Sequence, residues 1–238
     1  MKSVFALAAL CALLAAPAAA QTPTVDELLA KNMQARGGDK LKNVKTRKVT
    51  GHVSTQGMDM QMTVLAKRPN MMLQEMKMGD RRLVTAYDGS QAWGLNPMIG
   101  DTAQVLQGIQ ASLLKDQAFF DGPLALAKSR NDTIEVAGKE DVDGAAAWKL
   151  LVTHEGRVTT LYLDAQTGLE RKVSTNVTDG GQSVVIESLI SDFQPTDGIM
   201  VPRKISTVVG GQQQATVVID AVEFDVPVED EQFKMPTK

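Results

Sequence analysis

Met58-Asp59-Met60-Gln61-Met62-Thr63-Val64-Leu65-Ala66 is followed, across Arg68-Pro69-Asn70, by Met71-Met72-Leu73-Gln74-Glu75-Met76-Lys77-Met78. In the first run apolar and polar residues alternate with period two, the spacing that puts Met58, Met60, Met62 and Val64 on one face of a strand. The second run sets Met72, Met76 and Met78 in a matching row, and the proline-containing separator is short enough to join antiparallel neighbours. Strand patterns flank this pair at Val49 to Thr55, Leu83 to Tyr87 and Gln91 to Leu95, with Gln56-Gly57, Gly79-Asp80 and Asp88-Gly89 between them. The region reads as an antiparallel meander.

Working outward, the meander breaks at Asn96-Pro97. A helical stretch is expected from about Thr102 to Asp116, with Val105, Leu106, Ile109, Leu113 and Leu114 as its apolar stripe. A second short helix is expected over Leu124 to Lys128, behind Asp121-Gly122-Pro123. Strand patterns resume at Thr133 to Ala137, Ala146 to Thr153, Val158 to Leu163, Leu169 to Val177, Ser183 to Phe193, Met200 to Val208 and Gln214 to Phe224. Tight turns such as Asp143-Gly144, Glu155-Gly156 and Asp197-Gly198 separate them. Upstream, Thr24 and Glu27 stand in capping-box spacing, so a helix is expected from Thr24 to Arg36, stopped by Gly37-Gly38. The expected class is mainly β (α+β): one curled antiparallel sheet of about eleven strands, a half-open barrel under a helical lid.

The first twenty residues have a separate character. Lys2, an apolar run from Val4 to Leu14, Pro17 and three small residues make the layout of a secretory signal peptide cleaved before Gln21. The apolar run is shorter than the roughly 20 residues a membrane span needs. Residues 1–20 are thus expected to be a signal peptide and residues 21–238 one soluble domain, since no Pro/Ser-rich linker divides them.

Composition narrows the chemistry. With Lys plus Arg at 25 and Asp plus Glu at 28, the net charge is −3, which argues against a nucleic-acid partner. The one cysteine, Cys11, falls in the expected leader, so no disulfide or thiolate site is expected in the exported chain. His52 and His154 are isolated, Gly181-Gln182-Ser183 lacks the nucleophile-elbow pattern, and Glu140, Asp141 and Asp143 lack the glycine and closing glutamate of a calcium loop. No enzyme, no cofactor and no metal are therefore expected. Methionine stands out instead, with seven of 12 between positions 58 and 78. An unbranched, polarizable side chain suits a wall that accepts ligands of variable shape. An apolar cavity is expected to be lined by Met58, Met60, Met62, Val64, Met72, Met76, Met78, Trp93, Leu95, Trp148 and Leu150, with the stripe Val105, Leu106, Ile109, Leu113 and Leu114 as its lid.

Short motifs along the chain carry a family resemblance. Ala35-Arg36-Gly37-Gly38-Asp39-Lys40-Leu41, Lys67-Arg68-Pro69-Asn70, Tyr87-Asp88-Gly89-Ser90-Gln91-Ala92-Trp93 and Phe120-Asp121-Gly122-Pro123-Leu124 occur in order. Leu161-Tyr162-Leu163-Asp164, Ser191-Asp192-Phe193, Gly198-Ile199-Met200-Val201-Pro202 and Phe233-Lys234-Met235-Pro236 follow. In these the chain resembles the LolA/LolB-like outer-membrane lipoprotein-sorting superfamily. The resemblance implies a periplasmic carrier or sensor that holds acyl chains of a lipoprotein or another lipid, with an envelope protein as donor or acceptor and transient contact with a membrane surface. An envelope regulatory or protein-interaction module on the same fold is the alternative.

Overall fold

The computed structural model describes residues 21–179 and 182–237; the expected signal peptide and Cys11 lie outside them. Helix α1, Val25–Arg36, begins with the expected capping box, Thr24 Oγ1 accepting from Glu27 N while Glu27 Oε2 accepts from Thr24 N. Its last turn ends at Gly37, whose φ of 138° is open to glycine and whose missing Cβ lets Ile199 approach. A five-residue helix follows, α2, Asp39–Asn43, too short to show a helical period in the sequence.

Thirteen strands then build one antiparallel sheet: β1 Thr46–Thr55, β2 Met58–Lys67, β3 Met71–Met78, β4 Arg81–Tyr87, β5 Ala92–Leu95, β6 Gln104–Val105, β7 Thr133–Val142, β8 Ala145–His154, β9 Arg157–Asp164, β10 Glu170–Asp179, β11 Gln182–Thr196, β12 Ile199–Val209 and β13 Gln212–Phe224. Helices α3, Gly108–Gln117, and α4, Pro123–Ser129, interrupt the sequence of strands. The order across the sheet is β6-β5-β4-β3-β2-β1-β13-β12-β11-β10-β9-β8-β7, so β1 and β13 meet in the middle and β6 and β7 are its two edges. Gln56-Gly57, Asp143-Gly144, Glu155-Gly156, Asp197-Gly198 and Gly210-Gly211 each have positive φ at both positions, the two-residue hairpin whose twist matches that of the flanking strands.

The register assigns every side chain to a face. Val49, Val64, Gln74 and Thr85 stand in one row, as do Gly51, Met62, Met76 and Leu83. The four α-helices of the described residues lie on this face. Leu28 of α1 and Leu124 and Ala127 of α4 pack on Leu150, Val152, Leu161 and Leu163; Leu41 and Phe120 pack on Ala66, Val201 and Val222; Leu114 and Ala118, at the end of α3, pack on Met72, Tyr87 and Ala92. The opposite face is polar over most of its width, with cross-strand ion pairs Lys48–Glu223, Lys149–Glu140 and Lys172–Glu187.

The helical face is concave. β5 and β9 are nine steps apart in the sheet, roughly 43 Å at the usual strand spacing. Yet α3, seated on β4 and β5, places Asp116 Oδ2 2.5 Å from Arg157 Nη2 at the start of β9. A ten-residue helix is about 15 Å long, so only a curled sheet brings both ends to it. The expected curled half-barrel is therefore the fold, with thirteen strands.

One expected helix starts later than its apolar spacing suggests. Val105 and Leu106 do not belong to α3: Gln104–Val105 forms the edge strand β6, paired with Gly94 and Trp93, and Leu106 N donates to Ala92 O. The vacant edge of β5 offers hydrogen bonds, and α3 starts only at Gly108, whose φ of +59° turns the chain out of the strand.

Candidate functional site

The register of β4 and β5 and the placement of α3 create a cavity of about 740 Å³ between sheet and helix. Leu83 and Thr85 project from β4 and Gly94 from β5, where the missing side chain leaves room for Leu106. The helix contributes Gln110, Leu113, Leu114 and Gln117, the i, i+3, i+4, i+7 set that shares one face. Asn96, Ile99, Gly100 and Thr102 of the β5–β6 connection complete the rim. The lining is aliphatic with uncharged amides and hydroxyls; none of its residues carries a charge. Such a space admits an apolar chain and offers hydrogen bonds at its mouth, and its volume is that of a small-ligand site.

Of the residues expected from sequence, Leu95, Leu106, Leu113 and Leu114 line this cavity. Ile109 is a half-buried residue of α3 outside the lining, and Val105 is exposed on the edge strand. The methionines share the concave face but not the cavity wall: Met72 is buried under α3 beside Val64, whereas Met76 stands directly opposite the lining residue Leu83. Met62, beside Met76, is buried at 5%, and exposure rises only at the ends of the row, with Met78 at 37% and Met58 at 46%. Trp148 and Leu150 are also on the concave face, in the core under α1 and α4.

Trp93 lies on the other face. Ala92 pairs with Tyr87 and Gly94 with Thr85, so those two share the methionine face and Trp93 points away from it, beside Ala86 and Val84. Its Nε1 donates to Phe233 O at 2.7 Å, which fastens the C-terminal segment across the convex side. Leu95 is partly buried against the same cluster and also reaches the cavity at the sheet's edge. A separate convex-side hollow of about 470 Å³ is lined by Leu73, Val84, Trp93 and Leu95 together with Lys234, Met235 and Pro236.

The residues that hold α3 were not foreseen in the sequence. Asp116 accepts from Arg130 Nη1 at 2.6 Å and from Arg157 Nη2 at 2.5 Å; Arg130 also bridges to Asp132, and Asp132 lies 2.7 Å from His154 Nδ1. This network joins α3 to the far side of the sheet. Deeper in the trough, Arg47 and Arg68 flank the ring of Phe120, and Arg68 forms a two-pronged pair with Asp121 at 2.5 and 2.6 Å. Burial and the neighbouring Arg36 and Arg68 push Arg47 down to about 10, which leaves it cationic at neutral pH. His52 sits at the surface, 3.5 Å from Asp220, and Asp141 caps the turn at Gly144. Among the described residues no group of three or more His, Cys, Asp or Glu is placed to hold a metal, and no helix is long and apolar enough to cross a membrane.

No family model matches the sequence, and no curated protein matches it. Solved structures do. A LolA superfamily protein from Nitrosomonas europaea superposes with a TM-score of 0.60 at 15% identity, over 90% of this chain and 98% of the other. A putative outer membrane lipoprotein-sorting protein domain from Vibrio parahaemolyticus gives 0.61 at 9% identity, over 88% and 97%. The chain has a LolA-like fold. A DUF1329 family protein from Desulfovibrio piger shares this LolA-like architecture, with a TM-score of 0.63 at 12% identity over 90% and 98%.

Proposed function

We propose that this protein is an exported envelope carrier or sensor that holds an acyl chain of a lipoprotein or another lipid between α3 and β4–β5, without catalysis. The observation that carries the reading is the cavity of about 740 Å³, aliphatic and free of charged residues, with one wall formed by a helix rather than by the sheet. Burying methylenes contributes about 0.8 kcal/mol each, so a chain of roughly sixteen carbons offers on the order of 10 kcal/mol before ordering costs. Affinity is then not the limiting demand; release is, and a wall that can move answers it. The fold shared with the Vibrio lipoprotein-sorting protein domain supports the same reading, as does the secretory-leader layout of the first twenty residues, from which we infer export to the periplasm. In this role it takes cargo from one envelope partner, or from a membrane surface touched transiently, and gives it to another.

Native mass spectrometry of protein purified from the envelope, followed by solvent extraction, tests this. A bound species of lipid mass that vanishes in Leu113→Asp supports the carrier. Protein that emerges free of lipid and binds no fluorescent fatty-acid or acyl-ester probe removes it.

A further inference from the structure

The methionine row continues past the cavity wall, and no helix covers that extension. Met62 of β2 stands directly opposite Met76 of β3, and Gln61 opposite Lys77, so the next rung sets Met60 opposite Met78. Strand rise separates Met60 from Met62 by roughly 7 Å, and facing Cα atoms are about 5 Å apart. Four side chains with three rotatable bonds each can bring their sulfurs to one point from such positions. Of the methionines on this face α3 packs on Met72; Met62 is buried, Met60 and Met76 are half-buried, and Met78 is exposed. Around them on the same face stand Gly51, Val53 and Leu83, which offer no competing donor, and Met62 Sδ has only a weak contact at 3.9 Å from Gln74 Nε2.

We propose that Met60, Met62, Met76 and Met78 form a thioether site for a soft monovalent cation, Cu(I) or its analogue Ag(I). Neutral, polarizable sulfur selects such ions over Mg²⁺, Ca²⁺ or Zn²⁺, which take oxygen, imidazole or thiolate. The sequence-based expectation of no metal weighed only His, Cys and carboxylates and therefore passed over this set. Thioethers carry no proton, so binding is independent of pH, unlike that of sites built from His or Cys. Arg81 stands opposite Met78, with its Nη1 3.2 Å from Met98 Sδ, and a guanidinium at that rung opposes a second cation. Met62 and Met76 are accordingly the principal ligands and Met78 the outermost. The site does not depend on the acyl cavity being occupied.

The test is an anaerobic titration of the purified protein with Cu(I) in competition with bicinchoninate, repeated with Ag(I) by native mass spectrometry. One ion per chain is expected, with the same affinity at pH 5.5 and pH 7.5. Leucine conserves the methionine volume, so Met62→Leu and Met76→Leu should each weaken binding by more than about tenfold, since losing even an outer partner of a ligand costs about that much, while Met78→Leu weakens it less. Met33→Leu and Met200→Leu should leave it unchanged. In ¹³C-methyl spectra of the wild-type protein, Ag(I) should shift the methyls of Met60, Met62 and Met76 but not those of Met33 or Met200, a readout that needs no variant. No retained ion, binding that survives the quadruple leucine variant, or methyl shifts confined to other methionines overturns the proposal.

Discussion

Replacing Asp116 by Asn should release α3 from the far side of the half-barrel and speed ligand exchange. The helix is held by two kinds of contact: Leu114 and Ala118 buried on Met72, Tyr87 and Ala92, and the carboxylate of Asp116 shared between Arg130 and Arg157. The three charged side chains keep 25%, 22% and 16% of their surface, between an exposed pair, worth at most about 1 kcal/mol, and a buried one, whose rupture costs about 3 to 5 kcal/mol. Asn preserves shape and one hydrogen bond but leaves Arg157 without its carboxylate, so a loss of about 1 to 3 kcal/mol in helix docking follows. That raises the undocked population by about 5- to 150-fold. Hydrogen exchange of the α3 amides reads this directly, and stopped-flow release of a fluorescent acyl probe reads its consequence. Both should accelerate by similar factors, while exchange in β1, β2 and β13, at the centre of the sheet, stays as in wild type. If α3 protection is unchanged in a folded variant, or if it falls and the release rate does not follow, the helix is not the moving wall.

Other perturbations separate the faces and the turns. Leu113→Asp puts an unpaired charge into the uncharged cavity and should cost at least tenfold in probe affinity, measured by fluorescence titration, with circular dichroism unchanged. Trp93→Phe removes the hydrogen bond to Phe233 O and should cost about 1 kcal/mol in urea unfolding, yet leave probe affinity intact, because Trp93 lies on the convex side. Gly57→Ala, at φ +80° with open space around it, should destabilise by about 1 to 2 kcal/mol through backbone strain alone, read as a shifted urea midpoint with unchanged slope. Burial pushes the Asp164 carboxyl up, but donors from Thr167, Gln166 and Arg171 outweigh it and hold the group below the usual carboxylate range. Its stabilisation is present above about pH 4 and is lost as pH falls through the folded value, so Asp164→Asn should flatten the acid limb of the stability profile.

The methionine meander was legible because the register followed directly from its alternation: one face of Met62, Met76 and Leu83, the other of Gln61, Lys77 and Arg82. The assignment of Trp93 was not, since β5 is apolar on both faces. That happens only because a segment some 140 residues later in sequence covers its convex side, a contact with no local signal. Val105 and Leu106 have the spacing of a helical stripe with Ile109, but a vacant strand edge took them instead. Of the cavity wall, Leu95, Leu106, Leu113 and Leu114 are the residues the sequence reading named. Gln110 and Gln117 share a face with Leu113 and Leu114, and a search for apolar stripes passes over glutamines that line a rim. Trp148 and Leu150 lie on the expected face but at the end filled by α1 and α4, and the alternation of a strand does not say which end a helix will cover.

The separation of those two ends connects the fold to its proposed work. Most of the largest fully buried side chains, among them Phe120, Leu41, Leu124 and Leu150, gather where α-helices cover the sheet, while Phe233 is buried on the convex side. The extension of the same face through Met60, Met76, Ile190, Ile205 and Val217 remains half-exposed. Leu114 serves both, packing on Met72 and lining the cavity, but the core under α1 and α4 shares no residue with the cavity lining, which lets the trough hold side chains a packed core would not select. The edges follow a similar logic. β6 and β7 do not pair with each other, and a ladder between them would close the barrel with backbone bonds broken only by local unfolding. Asp116 with Arg130 and Arg157 spans the gap with side-chain charges instead, which solvent and salt weaken. A joint of that kind opens without disturbing the sheet. It makes the prediction that raising the salt concentration accelerates probe release from wild type and leaves release from Asp116→Asn nearly constant; equal salt dependence in both would place the gate somewhere other than α3.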